Sequence, residues 1–169
     1  RTQALISKQI DVTVQLGPDE FTQVEAAGMK VFKAPSTRTM GITLISHRNG
    51  KPVDDAMGDV RVRRALNYAV DKQAIIDNIF SGSGRPASQA AVPSAFGYNK
   101  AIKPYPYDPA KAKKLLAEAG YPDGKGLKLE VRAIVSSADF RMSYESAVQD
   151  LNKIGVKATL VAQNFGGTG

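Results

Sequence analysis

The sequence contains no cysteine, only one histidine, and no long apolar run. The absence of cysteine excludes thiol catalysis, disulfides and zinc–thiolate sites, while it leaves the cellular compartment open. No apolar stretch approaches the ~18 residues that a membrane-spanning helix needs. The lone His47 has no second base, acid or metal ligand at a recognisable spacing, so we interpret it as a solvated polar residue. We therefore expect no metal site and no cofactor.

The composition is typical of a globular protein, with 169 residues, 43% of them hydrophobic and 23% charged. This length fits one ordinary domain or two small lobes, and it is enough to bury a core without a metal or disulfide. The start at Arg1 lacks the charged and apolar regions of a secretory leader. We expect that a leader was removed or that the chain starts downstream of one.

A net charge of +7 raises the possibility of nucleic-acid binding. The basic residues are nevertheless spread along the chain, and no basic stripe is interleaved with aromatic residues for base stacking. Only two small basic groups stand out: Arg61, Arg63 and Arg64, and then Lys111, Lys113 and Lys114. We interpret both as solvated charge and expect no nucleic-acid partner.

Helical and strand patterns alternate along the chain, which predicts an α/β fold. The expected helices cover residues 2–9, 20–27, 60–80 and 140–154, with a further helix that Asp108 caps and Gly120 ends. The expected strands cover residues 10–16, 29–33, 40–46, 127–135 and 156–163. Residues 47–58 are predicted to form a loop with a turn at Asn49-Gly50, and 81–107 a long irregular segment.

No group of residues has the pattern of a catalytic site. Ser81, Ser83 and Ser88 lie outside any nucleophile-elbow motif, and the Gly/Ser stretch at 81–86 lacks the Lys-Ser/Thr ending of a phosphate loop. The pair Asp71 and Asp77 would lie about 120° apart on one helix and would not converge. We therefore predict no catalytic residue and no enzymatic activity.

Four segments, taken in order, resemble the family 5 extracellular solute-binding proteins of ABC importers, which include oligopeptide, dipeptide, glutathione and nickel receptors. The segments are 4–12, 59–71, 105–124 and 140–161. The segment 59–71 is similar to the family's D-x-R-V-R-x-A-L-x-Y-A-hydrophobic-D helix, and 105–124 matches its Y-x-Y-D-P-x-K-A-K-x-L-L-A-E-A-G-Y-P-D-G signature almost residue for residue. Lys8-Gln9 replaces the family's usual Gly-Glu.

The resemblance implies a periplasmic-binding-protein-like lobe of class C (type II), with a mixed sheet flanked by helices. Residues 1–38 would be the end of a first lobe and the crossing segment, and 39–169 a second-lobe α/β domain that is incomplete at its C-terminus. Family members are several times longer than this chain. We therefore expect a fragment whose principal ligand contacts lie beyond residue 169.

The resemblance also implies which residues meet the ligand. The polar connection Ser36, Thr37, Arg38 and Thr39 would enter the second lobe beside the cleft, where Arg38 is able to pair with a carboxylate in a bidentate manner. The alternative is a surface loop with a solvated arginine. Phe165 matches a position where oligopeptide receptors place an aromatic side chain against the ligand, and the alternative for it is a place in the core.

In function, the resemblance implies a substrate-binding component that captures a peptide-like small solute between two lobes and delivers it to the membrane permease of an ABC importer. It would be periplasmic, or extracellular and membrane-anchored. The alternative is a stand-alone ligand-sensing or interaction module with the same fold and no transport role.

Overall fold

The computed structural model describes residues 1–14, 16–17, 20–34 and 36–164. The helices in this part are α1 (Thr2–Ile6), α2 (Phe21–Ala26), α3 (Asp55–Gly58), α4 (Val60–Ala69), α5 (Lys72–Ile79), α6 (Pro109–Glu118) and α7 (Ala138–Lys153). The strands are β1 (His47–Arg48), β2 (Lys51–Pro52), β3 (Lys128–Val135) and β4 (Lys157–Asn164). The α/β class is thereby confirmed.

The elements β3, α7 and β4 form a parallel β–α–β unit. The register runs from Lys128 opposite Lys157 to Val135 opposite Asn164, and the 16-residue helix α7 makes the crossover. Alternate residues of β3 are buried on the face that α7 covers, as the two-residue period of a strand requires. The resemblance implied one mixed sheet. Among the described strands, the parallel pair β3–β4 and the antiparallel pair β1–β2 form two separate sheets.

The core lies where α4 and α6 pack against each other and against this unit. Helix α4 buries Val62, Ala65, Leu66 and Ala69, and helix α6 buries Ala112 and Leu116. Leu127, Leu151, Ile154 and Val156 complete the same cluster from the β3–α7–β4 side. Full burial of one such aliphatic side chain contributes roughly 1.5–3 kcal/mol.

The helix predicted over 60–80 is wrong as a single element, because the chain breaks into α4 and α5. Val70 has extended backbone, and the Asp71 carboxylate caps α5 by accepting from the Ala74 N–H at 2.9 Å. The buried Asp150 of α7 also accepts from the Asp71 N–H at 2.9 Å. A cap and a contact from a distant helix therefore outweigh the continuous apolar periodicity of the sequence.

The strands predicted over 10–16, 29–33 and 40–46 are not found in the described residues of those ranges. Residues 40–46 keep the two-residue period, with Ile42 and Leu44 half-buried between exposed neighbours, but no strand pairs with them. Val12, Val14 and Phe32 are exposed. A strand needs a hydrogen-bonded partner, which local propensity cannot supply.

The loop predicted over 47–58 is more ordered than expected. The Asn49-Gly50 turn is confirmed, since both residues have positive φ, and the two residues on either side pair as β1 and β2. Asp54 then caps α3 by accepting from the Met57 N–H at 2.6 Å. Residues 81–107 contain no helix or strand, as predicted.

Candidate functional site

Residues 36–39, which the resemblance places at the end of the predicted crossing and the start of the second lobe and which we call the crossing segment, lie exposed on the surface, and two of their hydroxyl groups form hydrogen bonds. The Arg38 N–H donates to the Ser36 Oγ at 3.0 Å, a local turn that fixes the backbone before Arg38. The Thr39 Oγ1 donates to the carbonyl oxygen of Ala90 at 2.9 Å. This second bond joins the crossing segment to the irregular segment 81–107, and it leaves Arg38 between two fixed neighbours.

The Arg38 side chain lies over an aromatic ring of α7. Its guanidinium carbon is 6.0 Å from the centroid of the Phe140 ring. The ring of Phe80, at the end of α5, is 6.4 Å from Phe140 and inclined by 54°. Arg38 forms no ion pair with any residue that the structure describes. The guanidinium thus lies over one ring of an aromatic pair.

Contacts of Phe140 with its own helix fix its position. The Ser137 Oγ accepts from the Phe140 N–H at 3.3 Å and caps α7. The buried Ser143 Oγ lies 2.8 Å from the Phe140 carbonyl oxygen and 3.8 Å from the Met40 Sδ. The first turns of α7 thus contact the chain on the C-terminal side of Arg38 as well as Arg38 itself.

The sequence does not predict that Arg38 lies over Phe140 or that Phe80 packs beside this ring. Phe80 and Phe140 are the last and the first residue of the helices predicted over 60–80 and 140–154, and nothing in the sequence pattern pairs their rings. Both are half-buried at helix ends. The local feature that Phe80 and Phe140 share is a place at a helix end. This feature does not indicate which cation lies over the ring.

Two open depressions lie on the described surface. One open depression of about 470 Å³ lies along α6, lined by residues from Asp108 to Glu118. Another, of about 460 Å³, lies between Leu44, Arg64 and Tyr105. Neither includes the crossing segment. Phe165 lies outside the described residues, so its assignment to the ligand stays a prediction.

Charged groups near the α4–α5 break act on the fold. The Lys72 Nζ donates to the Asn67 carbonyl oxygen at 2.7 Å, at the end of α4, and burial lowers the pKa of Lys72. The Lys153 Nζ donates to the buried Asp150 Oδ1 at 2.8 Å, and this hydrogen bond raises the pKa of Lys153. Lys72 thus joins the start of α5 to the end of α4, and Lys153 pairs with the aspartate that accepts from the N–H before α5. Both charges therefore stabilise the fold.

Two of the three arginines of the basic group on α4 are also engaged within the protein. Arg61 pairs with Asp59 and donates to the Glu118 carbonyl oxygen at 2.7 Å, where α6 ends. Arg63 donates to the carbonyl oxygens of Met57 and Gly58 at 2.6 and 2.9 Å, where α3 ends. Cations at helix C-termini oppose the partial negative charge there.

His47 is exposed on β1, with its Nδ1 3.2 Å from the Ser46 Oγ. Across residues 1–164, leaving aside 15, 18, 19 and 35, no group of three acidic or histidine side chains is arranged to hold a metal ion. The helices of these ranges include none with both the length and the apolarity of a membrane span.

Comparison with known proteins gives the family. Residues 1–168 match the family described as bacterial extracellular solute-binding proteins, family 5 Middle. The chain belongs to this family. Family 5 consists of solute-binding proteins, so the resemblance carried by segments 59–71 and 105–124 is confirmed.

Three relatives illustrate the range of the family. Heme-binding protein A of Haemophilus influenzae is 45% identical over 109 residues, covering 63% of this chain and 20% of its own length. The dipeptide-binding protein of Pseudomonas aeruginosa is 33% identical over 170 residues, covering 98% of this chain and 31% of its own length. The periplasmic binding protein DppA of Helicobacter pylori, solved with the peptide STSA and described as ABC transporter-associated, superposes with a TM-score of 0.60 at 31% identity.

The superposition on DppA covers 67% of this chain and 21% of that protein. This family 5 chain therefore spans between about a fifth and a third of the length of these relatives.

Proposed function

We propose that this family 5 chain is part of the substrate-binding component of an ABC importer, which captures a peptide-like small solute between two lobes and delivers it to the membrane permease. Residues 1–38 are assigned to the end of the first lobe and the crossing, and 39–169 to most of the second lobe. The protein would work in the periplasm, or outside the cell on a membrane anchor. The family match and the named relatives support this assignment.

The site proposal rests on the contacts around Arg38. Its guanidinium lies over Phe140 and forms no ion pair with a described residue, while Ser36 and Thr39 fix the backbone on either side. A guanidinium presents a fork of N–H donors that matches a carboxylate. We assign Arg38 to an anionic group of the solute, such as a carboxylate of a peptide.

The proposed mechanism needs no covalent chemistry. A solute that contacts both lobes stabilises the closed arrangement over the open one, and the difference in affinity between the two states drives closure. The permease then recognises the closed protein. The contacts described here belong to one side of such a site, so the second-lobe segment by itself should bind solute weakly.

The test uses the full-length protein and isothermal titration calorimetry with three probes: the dipeptide Ala-Ala, the tetrapeptide Ser-Thr-Ser-Ala, and hemin. The proposal expects at least one probe to bind, and Arg38→Ala to weaken that binding about tenfold or more, since charged hydrogen bonds contribute roughly 1.5–3 kcal/mol. Failure of the wild-type protein to bind any probe would contradict the proposed function. Permease-dependent uptake of the bound probe by cells would separate transport from a sensing role.

A further inference from the structure

Arg38 has a long, flexible side chain, and its affinity for an anion depends on how well it is held before the anion arrives. A side chain that moves freely among many rotamers before binding must become ordered on binding. This ordering reduces the binding free energy by about 0.5–1.5 kcal/mol. The backbone bonds of Ser36 and Thr39 fix only the Cα position of Arg38. Among the described residues, its guanidinium forms no ion pair and lies over the ring of Phe140.

The backbone of Phe140 is held by two hydrogen bonds, and its ring packs against one neighbouring ring. Its backbone N–H is tied to the Ser137 cap and its carbonyl oxygen to the buried Ser143. The Phe80 ring packs against it at 6.4 Å in a tilted arrangement. The ring thus stands on the first turn of a 16-residue helix and has a second ring beside it, in contrast to the exposed segment that carries Arg38.

A guanidinium over an aromatic face keeps its N–H groups at its rim. Contact with the ring and bidentate binding of a carboxylate are therefore compatible, and the ring restricts the directions that the fork can take.

We propose that Phe140 is a positioning residue for Arg38, which orients the guanidinium toward an anionic group of the solute. This inference rests on the proposed function, because it gives Phe140 a role only through Arg38. It adds a residue of the described second-lobe segment to the site.

The first experiment is a double-mutant cycle in the full-length protein, with affinity measured by calorimetry for whichever of Ala-Ala, Ser-Thr-Ser-Ala and hemin binds. Phe140→Leu should weaken binding about two- to fivefold, the affinity equivalent of an exposed cation–π contact. Phe140→Tyr keeps the ring and should retain wild-type affinity. Phe140→Leu combined with Arg38→Ala should bind no more weakly than Arg38→Ala alone, because the ring acts through the arginine.

The chain offers a matched control. Lys33 lies with its Nζ 4.5 Å from the centroid of Phe21 on α2, a second cation–aromatic pair that includes neither Arg38 nor Phe140. Phe21→Leu removes a ring from that pair and should leave solute affinity unchanged. An equal loss in Phe21→Leu and Phe140→Leu would show a general effect on stability and would overturn the positioning role.

A ligand-free measurement separates this inference from the proposed function. In full-length protein labelled at arginine, the side-chain protons of Arg38 should be shifted upfield by the ring in the wild type and in Phe140→Tyr, but not in Phe140→Leu. An Arg38 signal that is the same in all three proteins overturns the positioning role, whether or not any probe binds. When Arg38→Ala weakens binding and Phe140→Leu does not, the proposed function stands and the positioning role fails.

Discussion

Gly155, which follows α7, lies so close to the backbone of Asp123 that a Cβ added to the glycine would overlap the Asp123 carbonyl oxygen. Gly155 also has a φ of +89°, and Gly124, next to Asp123, has a φ of +68° and faces the Gly155 backbone in the same way. The backbone of the turn at Pro122–Gly124 thus packs directly against the backbone that follows α7, because neither Gly124 nor Gly155 has a side chain to separate them. This contact sets how β3 and β4 begin side by side.

Gly155→Ala should therefore destabilise the protein by more than the left-handed backbone alone explains. That conformation costs a non-glycine residue roughly 1–2 kcal/mol, and the overlap with Asp123 adds to it. Gly126→Ala is the matched control, because Gly126 has a φ of +88° and nothing within 4 Å of its added Cβ. Urea denaturation midpoints of the two variants measure the difference. Equal midpoints would contradict the close approach.

The helix caps illustrate what sequence alone predicts well. Asp108 and Gly120 are predicted from residue type and position to bound a helix, and each has the expected role in the structure. A cap depends on the few residues around it, so the local pattern carries the information. The same holds for the Asn49-Gly50 turn.

The parts that sequence did not predict depend on residues far along the chain. The break at Asp71 involves Asp150, 79 positions away, and the pairing of a strand depends on a partner that no local pattern identifies. The site shows the same division. Arg38 was a candidate because a polar connection joins two apolar segments, but Phe140 and Phe80 gave no local sign that they meet it. Ligand contact by Ser36, Thr37, Arg38, Thr39 and Phe165 stays a prediction.

Asp108→Ala should lower the free energy of unfolding by about 1 kcal/mol, the typical contribution of an N-cap. The Asp108 Oδ1 accepts from the Lys111 N–H at 2.8 Å, and Pro109 at the first turn needs no partner for a missing N–H. Asp108→Asn keeps an acceptor oxygen and should retain most of the stability. A denaturation midpoint for Asp108→Ala that equals the wild-type value would refute the cap assignment.

Asp59 should make the stability of the protein depend on pH in the acidic range. Hydrogen bonds from the Arg61 side chain, and then from the Arg61 backbone N–H, lower the pKa of Asp59 below its ordinary value of 3.8. A carboxyl group with a lowered pKa in the folded state contributes stability above its unfolded pKa, and this contribution is lost as the pH falls through the folded pKa. Wild-type protein should therefore exceed Asp59→Asn in stability near neutral pH by a margin that shrinks once the pH drops below 3.8.

Arg61→Met provides the second arm of this test. It removes the largest cause of the lowered pKa and also the bond to the Glu118 carbonyl oxygen, while the backbone cap at Asp59 remains. Urea denaturation measures the free energy of unfolding at about pH 6 and at about pH 3. The decrease in this free energy between the two pH values should be smaller in Arg61→Met than in the wild type. An identical acid dependence in the two proteins would show that the ion pair of Asp59 and Arg61 is not what lowers the pKa, and that the cap alone acts on the carboxylate.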